Sequence, residues 1–289
     1  MDRGRAGMGG RQGRAIAVGT VLTIVLAAGA TLLGGYGQTP PPAVKAAEGD
    51  QSVVTRPAPL PEEPHALAGD CLSSASFVPL NCHERHDVEV TALTTLPDGA
   101  AEGDFDRATM PVCRHQLAQY LGAPGADATR LQPWAFWPTP EAYAAGQRWL
   151  LCGAAELDGT GAAQQRSGSV RGALGDGRFP EFQLCSAGQS AAEEKLRSVP
   201  CDQPHQGEAV PEVLALGSAD QPRPSTETIN EAGAEHCGPA VRDYLGDPAT
   251  TVSVTWRIPG EQAWADGYTD LVCFAQTGLP ITGSLLGHN

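Results

Sequence analysis

Two stretches of this chain combine residue types that could do chemistry. CHERHDVEV runs from Cys82 to Val90, and CDQPHQGEA from Cys201 to Ala209. Both read C-x-x-x-H-x-x-E, setting Cys82, His86 and Glu89 beside Cys201, His205 and Glu208. A thiolate and an imidazole could hold zinc, and an imidazole with a carboxylate could move a proton. The same residues could also be scaffolding.

Each chemical reading meets an obstacle in the spacing. Structural zinc sites favour close pairs such as C-x2-C, and none occurs here, so no metal is expected. Asp87 to Leu96 alternates as a strand, with Val88, Val90 and Ala92 on one face and Glu89, Thr91 and Leu93 on the other. Three-residue spacing along such a strand turns His86 and Glu89 to opposite faces, with Asp87 and Glu89 toward solvent. A nucleophile is lacking: there is no G-x-S-x-G, no S-x-x-K and no free cysteine. The expectation is therefore a structural motif in which each histidine closes a turn onto backbone, with no catalytic residue and no cofactor.

The eight cysteines form two sets of four: Cys71, Cys82, Cys113 and Cys152, then Cys185, Cys201, Cys237 and Cys273. Their intervals are 11, 31 and 39, then 16, 36 and 36. Three internal connectivities are open to each set. Pairing first with second is favoured, because two neighbouring strands would carry them, which leaves third with fourth. The expected bridges are Cys71–Cys82, Cys113–Cys152, Cys185–Cys201 and Cys237–Cys273.

Other features recur with the cysteines. Cys113-x6-Tyr120-Leu121-Gly122 matches Cys237-x6-Tyr244-Leu245-Gly246. Trp137 precedes Cys152 as Trp256 precedes Cys273, and Ser167-Gly168-Ser169 echoes Thr282-Gly283-Ser284. The reading is an α+β fold made by tandem duplication of a disulfide-stapled unit of about 110 residues, each an antiparallel sheet plus a helix. Unit one takes residues 65–178 and unit two residues 179–289. In the first, strands are expected at Cys71–Leu72, Val78–Cys82, Asp87–Leu96, Leu131–Trp137 and Gln147–Ala154. Its helix is expected over Phe105–Leu121, with Asp104 as N-cap and Gly122 past its end. In the second, strands are expected at Phe182–Ser186, Ser198–Cys201, Glu208–Leu216, Thr251–Ile258 and Tyr268–Ala275, with a helix over Thr226–Leu245. The S-G-S and T-G-S elements read as turns that pack each tail onto its unit, and Trp134, Trp137 and Trp256 as core or sheet-face aromatics.

Ahead of the units stand three segments. Residues 1–14 carry four arginines against one aspartate and read as a cytoplasmic tail. Ala15–Tyr36 is uncharged, and 22 helical residues would span roughly 33 Å, enough for the hydrocarbon core. A transmembrane helix is favoured over a cleaved signal peptide with an Ala28-Gly29-Ala30 site, because the apolar run exceeds the usual length. The basic flank keeps the N-terminus inside and sends the bulk outside, where disulfides persist. Residues 37–64 form a proline-rich linker. The net charge of −14 repels phosphate backbones, so nucleic acid is excluded as a partner.

Gly69-Asp70-Cys71-Leu72, Cys82-x-x-x-His86-Asp87-x-Glu89-Val90, Cys113, Trp137-Pro138, Gly146-x-Arg148, Cys152 and Ser167-Gly168-Ser169 together resemble the septum formation domain of actinobacterial envelope proteins. The first unit matches nearly throughout. The second departs from it, with Gln183-Leu184 before its first cysteine and Gln206 in place of the aspartate. The resemblance implies an anchored extracytoplasmic module tied by name to cell division, and it brings no catalytic residues. The expected function is a single-pass, membrane-anchored binding or scaffold module of the cell envelope, and its partner is an envelope or division protein or a cell-wall component. The rivals are an envelope hydrolase using His86 or His205 and a glycan-binding module using exposed tryptophans.

Overall fold

Val88, Val90, Thr91 and Thr95 are β-branched residues that suit a pleated surface, and they lie in the first long strand. In the computed structural model, residues 64–74, 78–158, 160–189, 196–246 and 252–286 are described. The expected cytoplasmic tail, membrane span Ala15–Tyr36 and linker residues 37–63 lie outside them. Among the described residues no helix is long and apolar enough to cross a membrane.

The first half contains β1 (Cys71–Leu72), β2 (Pro79–Leu80), β3 (Val88–Thr95), helix α1 (Phe105–Leu121), β4 (Leu131–Phe136), short helix α2 (Pro140–Ala144) and β5 (Trp149–Glu156). Its strands form one antiparallel sheet in the order β2-β1-β3-β5-β4. The second half contains α3 (Phe179–Phe182), β6 (Cys185–Ser186), β7 (Ser198–Val199), β8 (His205–Ala209), β9 (Leu214–Ala215), helix α4 (Thr226–Leu245), β10 (Val252–Arg257), α5 (Glu261–Ala265) and β11 (Asp270–Ile281). Its sheet runs β7-β6-β8-β11-β10, the same order strand for strand, with β9 added on β11.

Helix α1 ends where Gly122 takes φ 83°, a left-handed conformation that costs glycine little. Its start at Phe105 is the expected one, but the expected side-chain cap is not made: Asp104 holds the N-cap position without a capping bond. In α4, by contrast, Ser225 accepts from the Thr228 N–H at 3.1 Å. Gly233 lets α4 lie close on its sheet, since a Cβ there would stand 2.9 Å from Trp256 and Leu271.

Three expected strands of the second half are redrawn. Phe179–Phe182 is a helical turn, so the strand expected from Phe182 shrinks to Cys185–Ser186. The strand expected over Glu208–Leu216 begins earlier, at His205, and stops at Ala209. Pro211 follows with no N–H to donate to a ladder, and pairing resumes only at Leu214. The last strand is longer than expected and runs on to Ile281.

Each half buries its helix against its sheet. Leu117 and Leu121 of α1 pack with Leu131, Ala154 and Val170, and each such leucine contributes about 1.5–3 kcal/mol on burial. Ile229, Val241 and Leu245 of α4 pack with Leu271 and Ala275. Disulfides fasten the same joints: Cys113 of α1 to Cys152 of β5, and Cys237 of α4 to Cys273 of β11. The other two link Cys71 to Cys82 and Cys185 to Cys201.

The halves are not independent. Ala128 of the first shares a buried cluster with Phe179, Ala209, Val272 and Phe274. Phe182 packs into the core formed by Leu117 and Leu121. Arg114 and Asp127 form an ion pair whose members are each 9% exposed, and the guanidinium lies 4.1 Å from the centre of the Tyr268 ring. All described residues fall within one compact unit, Asp50–Asn289.

Candidate functional site

Both copies of C-x-x-x-H-x-x-E fold into the same buried corner. Glu89 is 1% exposed and Glu208 is fully buried, as is His205, while His86 is 1% exposed. This corrects the expectation that Glu89 faces solvent. Alternation assigned that face to water, but the chain after β5 returns over it. His86 and Arg166 form a β-bridge, and the Gly168 N–H reaches the Cys82 carbonyl at 2.6 Å. In the second half the Gly283 N–H reaches the Cys201 carbonyl at 2.9 Å in the same way.

The carboxylates hold these returning tails in place. Glu89 accepts from Tyr120 Oη and Ser169 Oγ, each at 2.5 Å, and from the Val170 N–H at 2.6 Å. Glu208 accepts from Tyr244 Oη at 2.8 Å, Ser284 Oγ at 3.2 Å and the Leu285 N–H at 2.7 Å. The donors are equivalent: a helix tyrosine, the final serine of S-G-S or T-G-S, and the backbone N–H after it. A buried carboxylate is tolerated only when so satisfied. Burial pushes the Tyr120 hydroxyl up to about 12, with the Glu89 charge adding and Arg171 opposing, so it remains a proton donor at neutral pH. Burial raises Tyr244 further in the same direction, despite its bonds with Ser284 and Gln183.

The histidines differ between halves. Each places Nδ1 against a backbone carbonyl two residues back: His86 on Glu84 O at 2.9 Å and His205 on Gln203 O at 2.8 Å. A carbonyl only accepts, so Nδ1 carries a proton in both. His205 Nε2 also lies 3.0 Å from Glu208 Oε1 and donates to it. Both ring nitrogens of His205 therefore face acceptors, which describes an imidazolium paired with a carboxylate. Burial pulls the His205 pKa down, but the bonds to Glu208 and to the Gln203 carbonyl, with the Glu208 charge, outweigh it and the net shift is upward. His86 Nε2 is buried and makes no hydrogen bond.

The expected separation of His from Glu thus fails in both halves, and in the second the two are directly bonded. Strand alternation holds only inside a regular ladder. His86 precedes β3, and the β8–β11 register breaks between Gln276 and Ile281, opposite His205. In each half the histidine, the carboxylate and one cysteine (Cys71 or Cys185) bring ligand atoms within 4.8 Å of one another. That cysteine is the first of its set rather than Cys82 or Cys201, and it is bound in a disulfide.

In a serine–histidine–acid relay the imidazole stands between hydroxyl and carboxylate. Here the carboxylate stands between Ser and His, and the serine proton points to an oxygen that already holds other donors. These atoms orient one another and bind chain to chain. Tyr120, Tyr244, Ser169 and Ser284 were not foreseen as members of this site, although the recurrence of Tyr-Leu-Gly and Gly-Ser beside the cysteines was their signal. The tryptophans lie elsewhere. Trp137 packs 6.0 Å from Phe105, Trp134 against the cluster around Val88, and the Trp256 indole donates to Asn230 at 3.0 Å.

A family model described as septum formation matches residues 68–273. The match is a single span that runs across both halves. No curated protein and no solved structure matches the chain.

Proposed function

The chain belongs to the septum formation family, and on that premise we propose that its two-sheet body is a non-enzymatic binding or scaffold module of the dividing cell envelope. Membership of the family supports a role in cell division or the envelope. In the proposal Ala15–Tyr36 is the membrane anchor, the N-terminus is cytoplasmic and the body extracytoplasmic. The halves descend from one duplicated unit, which the equal strand order and the equivalent carboxylate partners support. The partner is an envelope or division protein or a cell-wall component.

One observation carries the non-enzymatic reading. The paired residues of the two corners, His86, Glu89, His205 and Glu208, are at most 1% exposed, and the two carboxylates are held by side chains and backbone of the chain itself. General acid–base catalysis requires a group within reach of a substrate proton.

Two experiments test this. A reporter active only outside the cytoplasm, fused after Asn289, is expected to be active, and activity of a cytoplasm-only reporter there would overturn the placement. A fluorescent fusion of the full chain is expected to concentrate at the septum of the producing cell. Uniform distribution with intact division in cells lacking the chain would overturn the septal role.

A further inference from the structure

Glu89 accepts three hydrogen bonds and Glu208 accepts four. A carboxylate offers about four lone-pair sites. On Glu208, Oε1 takes His205 and Leu285 while Oε2 takes Tyr244 and Ser284. On Glu89, Oε1 takes Tyr120 and Ser169, but Oε2 takes Val170 alone. The missing donor is the one His205 supplies in the other half. His86 Nε2 is its counterpart, buried and without a partner.

The proton of a neutral His86 sits on Nδ1, bonded to the Glu84 carbonyl, so Nε2 presents a lone pair. This is the arrangement of a metal-ligating histidine, whose other ring nitrogen is fixed by a carbonyl. Cys71 Sγ completes a trio whose ligand atoms lie within 4.8 Å of one another. Its sulfur is bonded to that of Cys82, so the two thiols freed by reduction start at the same corner. A disulfide sulfur is a poor ligand, whereas a thiolate is a good one.

We propose that reduction of Cys71–Cys82 turns this corner into a zinc site with Cys71, Cys82, His86 and Glu89 as ligands. The reductant is a dithiol. One of its thiolates attacks the partly exposed Cys82 sulfur, the S–S bond breaks, and the Cys71 thiolate leaves. The second dithiol sulfur then displaces Cys82, and the reductant departs as a cyclic disulfide carrying the two-electron oxidation. Zinc takes both cysteines as thiolates, and their protons pass to solvent. Two thiolates, an imidazole and a carboxylate are a tetrahedral donor set that suits zinc. The second half holds the same three residue types, but His205 Nε2 is already bonded to Glu208 and does not face a metal as a free lone pair. It serves as the internal control.

The test uses the full chain, reduced with a dithiol, freed of it anaerobically, exposed to zinc chloride and desalted, with bound zinc measured by atomic absorption. The reduced chain is expected to keep one zinc and the oxidised chain none. His86→Ala is expected to weaken retention about tenfold or more, the least a lost ligand should cost, while His205→Ala retains zinc. Cobalt in place of zinc is expected to give thiolate charge-transfer absorption that His86→Ala shifts or abolishes. Absence of zinc from the reduced chain would overturn the proposal. So would equal zinc in the two variants, the result expected from an unfolded chain with loose thiols.

Discussion

His205 Nε2 and Glu208 Oε1 lie 3.0 Å apart at a point where both side chains are fully buried. The pair ties the turn after Cys201 to the strand that also receives the C-terminal tail. Its charge makes the second half sensitive to alkaline pH. The folded pKa of His205 is raised above the ordinary 6.5, so the stability it contributes is fully present below that value and is lost as pH rises through the folded one. The melting-temperature gap between the wild-type chain and His205→Ala is expected to narrow from about pH 6 to about pH 9. A gap that stays flat or widens over that range contradicts the ion pair.

Glu89→Gln and Glu208→Gln are each expected to destabilise the full chain by about 1–3 kcal/mol. A carboxamide turns two donors toward a site already filled with donors. Denaturant unfolding checks this, and a neutral Glu89→Gln would restore the solvent-facing position read from strand alternation.

Ser169→Ala and Ser284→Ala are expected to cost less, about 1 kcal/mol each, since the tyrosine and backbone bonds remain. Their signature is local. Hydrogen exchange at the Val170 and Leu285 amides should quicken while the amides of Leu151 and Phe274 hold. Uniform loss of protection would mean that the tail is not a separate latch.

Arg114 and Asp127 pair within the first half, and the Arg114 guanidinium lies over Tyr268 of the second. Burial pushes the Asp127 carboxyl up to about 6, against the pull of Arg114, and the nearby Asp270 adds to the rise. Removing Arg114 leaves a buried charge unpaired, so Arg114→Met is expected to cost about 3–5 kcal/mol, and adding Asp127→Leu should recover much of it. Unfolding of the four chains in a double-mutant cycle measures the coupling. Additive losses would show that Arg114 and Asp127 are not coupled.

Much of this fold was legible because local signals agreed. Helices α1 and α4 start and stop at the residues expected, each with a glycine directly after its last leucine, Leu121 or Leu245. The four disulfides are those of the first-with-second, third-with-fourth pairing. The site was half legible. His86, Glu89, His205 and Glu208 stand out by recurrence and the structure brings each pair together, yet alternation turns Glu89 to solvent. Alternation reports which side of a strand a residue occupies, and it carries no information on whether a tail 80 residues later covers that side. The Arg114–Asp127–Tyr268 contact was invisible for the same reason: it joins the two halves and has no counterpart in the repeat pattern.

The central claim is that the two His–Glu corners act through the stability of the fold. Its most direct test pairs two readings on one variant, His86→Ala in the full chain: unfolding free energy, and rescue of division in cells lacking the chain. Rescue is expected to follow the folded fraction, so that cooling or a stabilising substitution elsewhere restores both together. A variant with wild-type unfolding free energy and no rescue would contradict it and make His86 part of a working site.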